Sequence, residues 1–340
     1  MKSFCKFIIL FSCLLLTSDC SKNVKTLRLL SWEGYHPQKL LSNFEKKYNV
    51  NIDYQYIDTV DEIREKLVAG QYDVVMVPDY LVKKLLKENL LSKLKKEQLT
   101  NLSLIEEGFS TPYYDPKLEY CVPFSWGTVG VGYNKKYVTK EEASSWNVLF
   151  DQKFKGKISM LDVPKELFVA ALKSLGYSIN TTNVKELKTA KEKLIEQKPL
   201  VKMYSSNFRD PLAKEEIWIA QGWNGDMVKA KAANPNIEYS IPKEGSSAWK
   251  DNFCVHSKST NVELATQFIN FVSSPEMAAL FTNEAQYASP VKGTDPFLKD
   301  DIKNNLSIFP APEQVRTLEF YGDTDNTKFY TETWSILNKK

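Results

Sequence analysis

Residues 27–35 read LRLLSWEGY: a short apolar run, Leu27 to Ser31, that stops at Trp32-Glu33-Gly34-Tyr35. The run has the composition of a buried strand, and the period changes directly after it. Pro37 stands where a helix can begin, and Leu40, Leu41, Phe44 and Tyr48 recur at helical spacing. Asn51 to Ile57 alternates like a strand. Thr59-Val60-Asp61-Glu62 is a capping-box pattern that opens a helix, and Gly70 stops it. Tyr72 to Val77 is a further apolar strand closed by Pro78-Asp79, and Tyr80 to Leu91 is helical again. Strand and helix alternating three times predict an open, mostly parallel sheet in an α/β protein.

The second half repeats this architecture without repeating the sequence. Lys157 to Leu161 is a strand candidate ending at Asp162, and a helix follows over Lys165 to Leu175. Glu186 to Gln197 is a surface helix. Glu216 to Gly222 is an apolar strand that delivers Trp223, followed by a helix over Asp226 to Ala233. Ile237 to Ile241 and Asn252 to His256 bracket a loop carrying Trp249 and Asp251, and two helices follow, Val262 to Val272 and Pro275 to Thr282. Trp32, Asp79, Asp162 with Glu166, and Trp223 with Asp226 all fall just past the carboxyl ends of these strands, where open α/β sheets bind ligands.

Three of the seven tryptophans stand beside a carboxylate: Trp32 with Glu33, Trp223 with Asp226, and Trp249 with Asp251. An aromatic face attracts an organic ammonium through its quadrupole, and a carboxylate accepts the ammonium N–H bonds. Repeated three times at strand ends, the pairing predicts a box with several walls for such a cation. A tryptophan by itself is usually a core or surface anchor; the placement and the repetition are what favour the ligand-facing reading.

At 340 residues the chain exceeds one ordinary domain, and 43% hydrophobic residues support sizeable cores. Lys2 and Lys6 precede the apolar stretch Phe7 to Leu16, which is too short to span a bilayer and reads, over residues 1–19, as a signal peptide. Cys20 after Leu14-Leu15-Leu16-Thr17-Ser18-Asp19 resembles a bacterial lipoprotein cleavage site, although Asp19 departs from the usual small residue; a secreted form without the anchor is the alternative. Without that segment the charges nearly balance, which leaves no footprint for nucleic acid. Cys20, Cys121 and Cys254 then remain, enough for one optional disulfide and no disulfide framework.

Other chemistries find little support. His36 and His256 have no partner at metal spacing, and no cysteine pair has zinc-finger spacing, so no metal is expected. Gly127, Gly130 and Gly132 are spaced GxxGxG, which is not the dinucleotide fingerprint, and no other cofactor signature occurs. Tyr113-Tyr114 precedes Asp115-Pro116 in a loop and reads as structural.

The chain resembles the polyamine-binding proteins of ABC importers, the spermidine- and putrescine-preferring receptors, over nearly all of its length past the signal segment. The matching blocks are Ser31 to Tyr35, Pro123-Phe124-Ser125-Trp126-Gly127, Gly176-Tyr177 with Asn180-Thr181-Thr182, Gly222 to Asp226, and Ile241-Pro242-Lys243-Glu244-Gly245, followed by Trp249 and Asp251. The resemblance implies a two-lobed periplasmic-binding fold (type II), each lobe an open mixed sheet flanked by helices, with the ligand cleft between them. It implies one lobe of residues 24–130 plus 252–296 and another of 131–251 plus 297–340. It also implies site roles. Trp32 and Tyr35 flank the aliphatic chain of the ligand, Glu166 binds an amino group, and Trp223 and Tyr287 are walls. Trp249 with Asp251 grips the principal ammonium, and Asp226 resembles the acid of putrescine-preferring receptors. Tyr321 falls near a position where spermidine receptors carry an amide. Gly34 and Val163 replace family acids, so Glu33 or Asp79 is expected to substitute.

The expected function is therefore non-enzymatic: an extracytoplasmic receptor, periplasmic or on the outer face of the cell membrane, that delivers putrescine or spermidine to the membrane permease of an ABC importer with its cytoplasmic ATPase. Several cation–π contacts of about 0.5–2 kcal/mol each, with two charged pairs, can reach the roughly 8 kcal/mol of a micromolar complex. The alternatives are a receptor for another organic cation, an exported hydrolase using Glu166 as acid or base, and a surface adhesin whose solute site has decayed.

Overall fold

A computed structural model describes residues 24–339. The signal segment and Cys20 lie outside the described residues. Among the described residues the eleven strands are β1 (Thr26–Trp32), β2 (Asn51–Ile57), β3 (Val74–Pro78), β4 (Leu91–Ser92), β5 (Cys121–Asn134), β6 (Ile158–Met160), β7 (Val201–Tyr204), β8 (Ile219–Trp223), β9 (Ile237–Ser240), β10 (Ser246–His256) and β11 (Leu318–Phe320). They join in the order β2-β1-β3-β10-β5-β8-β6-β7; β4 and β11 also pair with β10, and β9 with β5.

The first three strands follow the reading of residues 27–91. β1 pairs in parallel with β2 and β3. Leu27 and Leu29 enter one hydrophobic cluster while Leu30 enters a second, and Val74 with Met76 and Val75 with Val77 divide the same way. Both faces are thus covered, as a parallel sheet requires. The helix Gln38–Tyr48 brings Leu40, Leu41 and Phe44 to the first cluster. The helices Val60–Ala69 and Asp79–Lys87 bring Ile63, Leu67, Leu81, Val82 and Leu85 to the second.

Several boundaries depart from expectation. Thr59 does not cap its helix; its hydroxyl donates to the Glu62 carboxylate (3.1 Å) instead of accepting a backbone N–H. The helix expected to run to Leu91 ends at Lys87, because Asn89 turns left-handed (φ 55°) and Leu90 N–H returns to the Leu85 carbonyl (3.0 Å). Leu91 is then released to pair, as β4, with His256 on β10.

The largest correction concerns Trp249 and Asp251. They lie inside the eleven-residue strand β10, not in a loop. Every residue of β10 is buried, so neither face alternates and the pattern that marks a half-exposed strand is missing. β5 is its fourteen-residue counterpart: Cys121–Thr128 pairs with β10, and Val129–Asn134 with β8 and β9. Cys121 and Cys254 are register partners joined by a disulfide. Pro123 sits where the register slips between Asp251 and Asn252, a bulge at which a missing N–H is tolerated.

Candidate functional site

Register places the site. Asp251 on β10 stands opposite Pro78 on β3 and Ser125 on β5, so Asp79, one residue past Pro78, comes to the same end of the sheet. Trp32 closes β1 beside them, and its indole N–H donates to Asp251 (3.0 Å). Tyr35, on the turn after β1, exchanges a hydrogen bond with Ser125 (2.6 Å). Its ring lies 5.8 Å from Tyr287, which stands edge-to-face with Trp249 at 5.1 Å. The Tyr287 hydroxyl donates to Asp226 (3.1 Å) at the start of the helix Asn224–Ala233. Trp223, the last residue of β8, is half-buried there.

A second group adjoins the first. Glu166, buried near the start of the helix Pro164–Ser174, accepts from the Ser247 hydroxyl of β10 (2.9 Å). The Tyr321 hydroxyl lies near this carboxyl without the geometry of a hydrogen bond. Tyr80 and Tyr321 meet edge-to-face at 5.8 Å. The structure thus gathers Trp32, Tyr35, Asp79, Glu166, Asp226, Trp249, Asp251, Tyr287 and Tyr321 into contacting clusters. Glu33 is not among them; it is exposed on the turn with Gly34. Of the two acids offered as substitutes, Asp79 is the one in the cluster.

The carboxylates are held under electrostatic stress. Burial pushes Asp251 up to about 7, opposed by the hydrogen bond from Trp32 and by the nearby Tyr35 hydroxyl, whose own hydrogen bond is with Ser125. Burial also takes Asp79 to about 7 against the charges of Lys165 and Lys250. Its Oδ1 accepts the Tyr80 N–H (2.8 Å), whereas its buried Oδ2 has no donor. Glu166 and Asp226 are raised by burial too, Glu166 against Tyr321, Ser247 and Lys165, Asp226 against Lys229 and Arg209. Buried acids without full compensation, lined by aromatic rings, are what an incoming organic cation would neutralise. Trp249 Nε1 is likewise buried without an acceptor.

Sequence reasoning missed Tyr80, Ser125, Lys165 and Ser247. Tyr80 and Lys165 adjoin Asp79 and Glu166 in the chain, and that adjacency was the available signal. The two histidines behave as structural groups. His36 is buried, pairs with Ser31 (2.9 Å) and is lowered to about 3 by desolvation; His256 Nδ1 accepts the Tyr72 N–H (3.2 Å). Among the described residues no group of three or more His, Cys, Asp and Glu could hold a metal ion.

Gly127 shows how tightly the aromatic wall is seated. A Cβ there would lie 2.5 Å from Trp249 Cζ2 and also collide with Asn224 Oδ1, whose carbonyl accepts the Thr128 N–H. Gly127→Ala is therefore expected to cost about 1–3 kcal/mol by overpacking and to shift Trp249. Urea unfolding together with the tryptophan near-ultraviolet circular dichroism checks it; an unaltered spectrum at unaltered stability would contradict this packing.

Known proteins agree with the architecture. The family described as bacterial extracellular solute-binding proteins matches residues 39–310. The spermidine/putrescine-binding periplasmic protein of Escherichia coli K12 is 30% identical over 302 residues, covering 88% of this chain and 87% of that one. The solved spermidine/putrescine ABC transporter substrate-binding protein PotD of Streptococcus pneumoniae is 25% identical with a TM-score of 0.83, covering 93% of this chain and 100% of that one. The Tp0655 (TpPotD) lipoprotein of Treponema pallidum, 26% identical, also reaches 0.83 and covers 92% and 99% of the two chains. The fold is the two-lobed periplasmic-binding architecture expected from the sequence. The chain belongs to the family of bacterial extracellular solute-binding proteins.

Proposed function

We propose that this chain is a non-enzymatic extracytoplasmic receptor that closes around a polyamine, putrescine or spermidine, and delivers it to the permease of an ABC importer. The observation that carries this reading is Asp251. Its carboxyl is buried among Trp32, Tyr35, Trp249 and Tyr287 and, among the described residues, has no lysine or arginine partner of its own. An ammonium supplies the missing charge, and the rings accept the methylenes beside it. The names of the Escherichia coli and Streptococcus pneumoniae relatives point to the same class of guest.

In this reading the lobes comprise residues 24–130 plus 252–296 and 131–251 plus 297–340. β5 and β10 are the crossings between them, and the change of partner along β5 at Thr128 to Val129 supports that division. Hinge closure brings Trp32, Asp79 and Tyr80 against Glu166 and Tyr321, and the closed form is what a permease recognises. Residues 1–19 direct export and Cys20 carries the lipid anchor, in keeping with the lipoprotein of Treponema pallidum. Among the described residues no helix is long and apolar enough to cross a membrane.

Isothermal titration calorimetry of the full chain in mild detergent, unfolded and refolded beforehand to strip copurified ligand, tests the reading. Putrescine, cadaverine, spermidine and spermine are titrated in turn. One-to-one binding of at least one, with a dissociation constant of about 1 μM or tighter, is expected. Silence from all four would overturn polyamine capture and leave the solute-binding fold with another guest.

A further inference from the structure

Four carboxylates line the site, and three of them face a cation supplied by the chain itself. Lys165 and Lys250 act on Asp79, Lys165 on Glu166, and Lys229 with Arg209 on Asp226. Among the described residues only Asp251 of the four has no such neighbour. The site is thus not an empty acidic cleft. Most of its negative charge is already matched.

Lys165 is placed most like a guest. Half-buried at the start of the helix Pro164–Ser174, it extends its ammonium to 4.0 Å from the Tyr321 ring centroid and 4.6 Å from that of Tyr80. Those two rings stand edge-to-face, and the charges of Asp79 and Glu166 act on the same ammonium. Two aromatic walls and two acids form a second cation box beside the one at Asp251. Among the described residues Lys165 makes no ion pair within 4.0 Å, so no salt bridge locks it in place. Asp79 Oδ2, buried and without a donor, remains available to a different ammonium.

We propose that Lys165 determines specificity by filling the Tyr80–Tyr321 box as a surrogate ammonium, so that the site favours diamines over longer polyamines. The proposal rests on the reading of the site as a polyamine receptor. A short diamine satisfies Asp251 and leaves Lys165 where it is. A triamine or tetraamine brings a further ammonium towards the box, and must either expel Lys165 from between the rings or stand beside a like charge. This is discrimination by a built-in repulsive element.

The test compares the full chain with Lys165→Met, Lys165→Gln and Lys165→Arg by calorimetry with putrescine, cadaverine, spermidine and spermine. The unaltered chain is expected to bind a diamine more tightly than spermidine. In Lys165→Met and Lys165→Gln the spermidine-to-putrescine affinity ratio should rise about tenfold or more. Lys165→Arg should keep the original order. An unchanged spermidine-to-putrescine ratio in both neutral variants, or a native preference for spermidine, would overturn the role of Lys165 and leave the receptor reading standing. Absence of binding by the unaltered chain and all three variants would overturn both.

Discussion

Replacing Asp251 with asparagine is expected to weaken putrescine and spermidine binding by about 100-fold or more while leaving the protein folded. The change is nearly isosteric, and the amide oxygen can still accept the Trp32 indole N–H that now reaches the carboxylate at 3.0 Å. What disappears is the one negative charge of the site that, among the described residues, faces no lysine or arginine. Removing one member of a buried, hydrogen-bonded charge pair costs about 2–5 kcal/mol, and in the complex the other member would be an ammonium with no alternative partner at that position. The unliganded protein should respond in the opposite sense. Burial disfavours the Asp251 carboxylate, so a neutral amide relieves that penalty and thermal stability without ligand should hold or rise. Calorimetry and thermal unfolding of the same preparation check both halves. A variant that lost binding together with its cooperative unfolding transition would point to a structural role for Asp251 and not to a ligand-gripping one.

The sequence made the outer strands and the site residues readable for a common physical reason. β1 and β3 are short and apolar, β2 alternates, and each is followed by a helix start, so periodicity found them, and the residues just past their ends were the ones to inspect. β5 was opaque, and β10 was read only in its second half, Asn252 to His256. β5 contains Pro123, Gly127, Gly130 and Gly132, a composition that argues against a strand. Neighbours leave no room for side chains there: Trp249 packs over Gly127, Tyr239 over Gly130 and Met227 over Gly132. Propensity was overridden by close packing that only the tertiary structure creates. β10 failed differently, because burial on both faces hides Trp249, Lys250 and Asp251 among residues that do not alternate. Only its place beside Glu166 in the chain marked Lys165, and nothing in the sequence showed that its ammonium meets two rings. A lysine beginning a helix is ordinarily solvated, and its contact with Tyr321 spans 156 positions of chain.

The pH dependence of binding follows from the same buried acids and should be nearly as large as the effect of the Asp251 substitution. Asp79 and Asp251 are raised from 3.8 to about 7 in the unliganded fold. Between pH 4 and 7 the native state therefore holds protons that the unfolded chain has already released. Stability without ligand then falls as pH rises through that window, by at most about 1.4 kcal/mol per pH unit for each carboxylate, and levels off above pH 7 where both states are ionised. Ligand reverses the sign. An ammonium requires the ionised carboxylate, so affinity should climb from pH 5.5 to 7.5, with about a 30-fold penalty at pH 5.5 for each acid that must shed a proton to bind. Asp251 is the cleaner reporter, since lysine charges oppose the shift of Asp79 and none opposes that of Asp251. Calorimetry at pH 5.5 and 7.5, in two buffers of different ionisation enthalpy, measures the affinity and the protons released together. In Asp251→Asn the remaining binding should lose the share of the pH slope that Asp251 contributes. Affinity flat across this range, with no proton release, would mean that the acids are already ionised before the ligand arrives and that burial does not poise them.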